Sequence, residues 1–163
     1  MKNISVLLLL CTSLFYYSQI NDFKIDNTSS QDITFVSVSM NLADPLLNCT
    51  PLIYNEFPTL LPAGQSTSHQ QINNSLSDNP PVQFWHLVGP NFDKVYDLTV
   101  APLSNSDTDL VTWYQVIINL PNGQSYTLGD GCMGGGVFSF TSGNIYGELT
   151  FISGAAYVYI KDI

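Results

Sequence analysis

The chain has 163 residues, and only 10% of them are charged, against roughly a quarter in ordinary soluble domains. Thirteen acids face four lysines and no arginine, for a net charge of −9. That balance excludes a nucleic-acid binder, which needs a cationic footprint, and the 45% apolar and 12% aromatic content excludes a disordered acidic tail.

Residues 1–19 read as a secretory signal peptide. Lys2 supplies the positive start, Ile4 to Phe15 the apolar stretch, and Ser18 and Gln19 the polar end. The stretch is too short for a membrane span, and no second long apolar run follows. The mature chain is therefore expected to be secreted, extracellular or periplasmic, with no membrane span. It keeps three lysines against 13 acids, a net charge of −10. Cys11 leaves with the leader, so Cys49 and Cys132 remain as an even pair in an oxidising compartment. A disulfide between them closes a loop of about 80 residues, worth roughly 4–5 kcal/mol on the chain-entropy model.

Residues 20–31 are polar and read as a flexible lead-in; residues 32–163 read as one domain. Helical periodicity is nearly absent there. Short β-branched and aromatic runs alternate with Gly, Pro, Asn, Asp and Ser. They predict strands at 33–40, 52–54, 65–72, 82–88, 95–100, 111–120, 125–128, 137–141, 145–153 and 156–160. Nine to ten short strands imply an all-β fold, an antiparallel β-sandwich of jelly-roll or Ig-like type, with a small β-barrel as the alternative. The last three strands form a meander.

Turn chemistry then predicts register. Asn122-Gly123 as a two-residue turn pairs Leu120 with Ser125. Gly143-Asn144 pairs Phe140 with Gly147 and Thr141 with Tyr146. Gly154-Ala155 pairs Phe151 with Val158 and Leu149 with Ile160. The inner face then holds Phe138, Phe140, Leu149, Phe151, Val158 and Ile160. The outer face holds Ser139, Thr141, Tyr146, Glu148, Thr150, Tyr157 and Tyr159.

Trp85 and Trp113 fall by parity on the less apolar side of their strands. His86 shares parity with Val82, Phe84 and Val88 and reads as a core histidine. The candidate binding residues are accordingly Tyr146, Glu148, Tyr157, Tyr159, Trp85 and Trp113. Aromatic rings beside hydroxyls and a carboxylate suit sugars or a protein partner.

No motif calls for a cofactor or a metal. Gly129 to Gly136 surrounds Cys132 with glycines that would suit an oxyanion hole, but Gly131 and Met133 break a nucleophile frame. Asn105, Asp107 and Asp109 alternate oxygen ligands like the opening of a calcium loop, yet Leu110 stands where such a loop needs glycine. The function expected is a secreted, non-catalytic binding or adhesion module for a glycan or an extracellular protein. The alternatives are a small secreted hydrolase using Asp or Glu, and a self-assembling surface protein.

Overall fold

The computed structural model describes residues 22–41, 49–130 and 136–163. The expected signal peptide, Cys132 and the centre of its glycine run lie outside them. Two sheets pack face to face and do not close into a barrel, so the fold is an all-β sandwich. The strands are β1 (Asp22–Asn27), β2 (Ile33–Met40), β3 (Leu52–Asn55), β4 (Thr59–Leu61), β5 (Gln65–His69), β6 (Phe84–Gly89), β7 (Phe92–Asp97), β8 (Thr112–Asn119), β9 (Ser125–Leu128), β10 (Ser139–Ser142), β11 (Ile145–Ile152) and β12 (Ala155–Asp162). One sheet runs β10-β11-β12-β1-β5. The other runs β7-β6-β3-β2-β8-β9, with β4 also on β2. A 3-10 turn (Ile72–Ser77) follows β5, and one helical turn, α1 (Asn105–Thr108), precedes β8.

The first strand is a correction. Residues 22–27 are not a loose lead-in but β1, seated between β12 and β5. The physical reason is a period of two. Phe23 and Ile25 are 1% and 0% exposed, while Asp22, Lys24 and Asp26 alternate with them toward solvent. Burying two such side chains contributes roughly 1.5–3 kcal/mol each. β1 runs parallel to β12 and antiparallel to β5. Its last residue, Asn27, is buried. Its amide donates to the carbonyls of Gln31, Leu61 and Pro62 at 2.9, 3.2 and 3.1 Å, tying the first sheet to β4 of the second.

The three turns test the expected register. At Gly143-Asn144, Phe140 faces Gly147 and Thr141 faces Tyr146, as expected. Gly147 has a packing reason, because a Cβ there would stand 2.3 Å from the Phe140 ring. The last hairpin turns one residue earlier than expected, at Ser153-Gly154, with φ of 51° and 82°. Both central residues are left-handed, as a type I′ turn requires. Phe151 therefore pairs with Ala156, and Leu149 with Val158. The shift is by two residues, so each side chain keeps its expected face. The Asn122-Gly123 hairpin closes through Leu120 and Gln124, giving a three-residue loop. Asn119 pairs with Ser125.

Between β3 and β4 the chain steps out at Glu56 to Pro58, and Asn55 fills the gap in the ladder. The Ser37 N–H and hydroxyl donate to Asn55 Oδ1 at 2.6 and 3.1 Å. The Asn55 amide donates to the Phe35 and Phe57 carbonyls at 3.2 and 2.8 Å. Its side chain thus satisfies backbone groups that no neighbouring strand reaches. Replacing it strands several buried groups at once. Asn55→Ala is expected to lower unfolding stability by about 2–4 kcal/mol, read from the urea midpoint at unchanged m.

Candidate functional site

The outer face of the five-stranded sheet carries the tyrosines that the sequence placed there. β11 presents Tyr146, Glu148 and Thr150. In register beside them, β12 presents Lys161, Tyr159 and Tyr157. β1 continues the rows, with Lys24 beside Tyr157 and Asp26 beside Tyr159. β5 extends them with Ser68 and Ser66. Tyr146, Tyr157 and Tyr159 are half-buried, and no described strand covers them, since the second sheet packs on the opposite side.

Hydrogen bonds hold this surface in one arrangement. The Tyr146 hydroxyl donates to Glu148 at 2.5 Å, and the Tyr157 hydroxyl donates to Asp26 at 2.8 Å. Each carboxylate raises the pKa of the phenol that it binds, since a negative neighbour disfavours the phenolate. Lys161 Nζ stands 5.4 Å from the Tyr146 ring centroid and 5.8 Å from that of Tyr159. Glu148, the acid expected on this strand face, is therefore the acceptor for the Tyr146 hydroxyl.

Asp26 is the acid that the sequence reading missed. It shares a row with Tyr159 and Glu148 across three strands. Two strand spacings separate the Cα atoms of the two acids, roughly 10 Å. The signal was available in the alternation of Phe23 and Ile25, but polar flanking residues concealed it.

Two expected binding residues belong elsewhere. Trp85 is 0% exposed and Trp113 is 3% exposed. They pack together at 5.8 Å between ring centroids in the core. In β6 the phase is the reverse of that expected: Trp85 and Leu87 point inward, and His86 outward. Burying an indole outweighs burying Phe84, and Ser75 satisfies its N–H at 2.8 Å. In β8 a bulge opposite Val38 and Ser39 changes the phase, so Trp113 turns inward along with Val116 and Ile118.

The two histidines lie in opposite settings, and His86 is not the core histidine expected. His69, from a polar stretch, is fully buried against Phe23 at 6.0 Å and Trp113 at 6.4 Å. Its Nδ1 contacts Asp78, and its Nε2 has no hydrogen-bond partner. His86 lies on the outer face of the other sheet. Its Nδ1 is 2.9 Å from the Tyr54 hydroxyl and 2.7 Å from Glu56, and its Nε2 contacts Asp93. The two carboxylates thus occupy opposite ring nitrogens and do not converge on a shared metal position. Asn105, Asp107 and Asp109 do not form a chelating loop: residues 105–108 make α1, capped by the Ser104 hydroxyl. Among the described residues no group of three or more His, Cys, Asp or Glu is placed to hold a metal ion, and no helix is long and apolar enough to cross a membrane.

Burial pushes the His69 imidazole below its usual pKa, against the opposing pull of Asp78. The hydrogen bond to Asp93, with help from Glu56, raises that of His86. The signs are opposite. A depressed pKa leaves stability intact above the unfolded value of about 6.5 and erodes it as pH falls through the folded value. A raised pKa contributes stability below about 6.5 that is lost as pH rises through the folded value. In urea midpoints across this range, His69→Gln is expected to soften the acid loss. His86→Gln is expected to remove the decline on the alkaline side. Matching profiles for the wild type and both variants would contradict this.

No family model, curated protein or solved structure matches the chain.

Proposed function

We propose that the chain is an exported, non-catalytic binding module that lays a glycan chain across the outer face of the five-stranded sheet. The observation that carries this reading is the row structure of that face: Tyr146, Tyr157 and Tyr159 stand among Glu148, Asp26, Lys24 and Lys161. Phenol rings offer apolar platforms for sugar faces, and the carboxylates and hydroxyls accept and donate to sugar hydroxyls. No described strand covers the face along its length, which suits a polymer better than a single sugar. Export places this surface outside the cell, after removal of residues 1–19, and joins Cys49 to Cys132. Cys49 is 1% exposed, as a bridged cysteine should be.

Hydrolysis is the less favoured chemistry. A glycosidase sets two carboxyls about 5–9 Å apart, one of them kept protonated, around a bond shielded from water. Here both carboxylates are engaged by tyrosine hydroxyls on an exposed sheet.

Strand-to-strand assembly has one specific observation in its favour. β5 ends the five-stranded sheet and carries no acid and no lysine, leaving an edge without charge protection.

A glycan array tests the principal reading. The wild type is expected to retain a subset of polysaccharides, with Tyr157→Ala and Tyr159→Ala weakening capture about tenfold or more, or at least 1.4 kcal/mol. Glu148→Gln is expected to leave the captured glycan uncut, as the wild type does. Absence of glycan capture, with concentration-dependent polymerisation abolished by Ser66→Lys, would replace this reading with the assembly one.

A further inference from the structure

A polar cleft of about 680 Å³ opens at the end of the sandwich where β1 begins, β5 ends and β8 begins. That volume lies within the range of small-molecule sites, about 300–1,000 Å³. Its described lining is unusual for this acidic chain, because side-chain amides dominate it. Gln70 and Gln71 come from the connection after β5, and Asn105 from α1. Asp22 and Asp109 add two carboxylates, and no lysine or histidine is among the described lining residues.

The cleft is held in shape by its surroundings. The Asn73 side chain accepts from the Leu103 N–H at 2.9 Å and donates to the Leu103 carbonyl at 3.1 Å. That pair fixes the 3-10 turn against the segment entering α1. Trp113, at the base, is braced by Phe23 at 5.5 Å and Trp85 at 5.8 Å. Part of the polar lining, by contrast, is not consumed by the fold. Among the described residues the side chains of Asp22, Gln70 and Asn105 have no hydrogen-bond partner, and Gln71 uses only its oxygen, toward Asn74. Donors and acceptors are therefore both available on a rigid frame, a condition for binding without a large ordering cost.

Charge selects the class of ligand. Two carboxylates, with no cation among the described lining residues, disfavour phosphates, sulfates and carboxylates. Amides present paired donor and acceptor groups, which match neutral hydroxyl groups rather than a compact cation. We propose that this cleft binds one or two neutral sugar residues, with Gln70, Gln71 and Asn105 as the selecting groups and Asp22 accepting from sugar hydroxyls. The site is separate from the tyrosine face and does not depend on it.

Maltose, cellobiose and lactose, each titrated to about 10 mM into the labelled protein, test this by amide chemical shifts, with CaCl2 as a parallel titrant. At least one sugar is expected to shift the amides of Gln70, Gln71 and Asn105 together with the Trp113 indole. Asn105→Ala, whose side chain supports nothing in the fold, is expected to weaken that binding about tenfold, and Tyr157→Ala to leave it unchanged. Silence toward all three sugars overturns the proposal. So does the same set of shifts produced by CaCl2 alone. Sugar shifts confined to Tyr146, Tyr157 and Tyr159 would also overturn it while upholding the face, whereas shifts confined to the cleft would do the reverse.

Discussion

The seat of β1 between β12 and β5 is the constraint on which the rest of the molecule depends. Without it the five-stranded sheet separates into the meander β10-β11-β12 and an isolated β5. β1 places Phe23 and Ile25 into the core, and through Phe23 it braces both Trp113 and His69. Asn27 at its end fastens the two sheets together. On the outer side the same strand contributes Lys24 and Asp26 to the tyrosine rows, and its first residue, Asp22, lines the polar cleft. Core, face and cleft therefore meet in six residues, because successive side chains of a strand point to opposite sides.

How much of this was legible depends on which physical signal governed each segment. β2 and β9 were readable to the residue, because uninterrupted β-branched or aromatic runs end at unambiguous turn residues. The tyrosine face was readable although the last turn was misplaced. Moving that turn by one residue shifts the pairing by two, and a shift of two preserves parity. Tyr146, Glu148, Tyr157 and Tyr159 therefore share the expected side.

The failures have equally specific causes. Strict alternation places Trp113 outward because it carries no information about bulges, and the extra residue, Tyr114, lies in β8 opposite Val38 and Ser39. Trp85 and His86 reverse the expected parity because β6 begins at Phe84, two residues beyond Val82, so Val82 does not set its phase. His69 stands in a polar run of Ser, Thr and Gln that carries no sign of burial. Its partners, Phe23 and Asp78, lie far along the chain in one case and beyond a 3-10 turn in the other. The cleft was invisible for the same reason: its amides come from two connections that only the fold brings together.

The acidic, lysine-poor surface is consistent with this division of labour. Tyrosine hydroxyls take up two of the acids on the outer face of the five-stranded sheet, and two others line the cleft. The central claim is that the tyrosine rows are a contact surface and not merely the dressed exterior of a sheet. Hydroxyl-radical footprinting with and without a polysaccharide that the protein retains addresses it most directly. The account predicts protection of Tyr146, Tyr157 and Tyr159, with Tyr54, Tyr96 and Tyr126 on the other sheet unchanged. Protection of the second group, or none in the first, would contradict it.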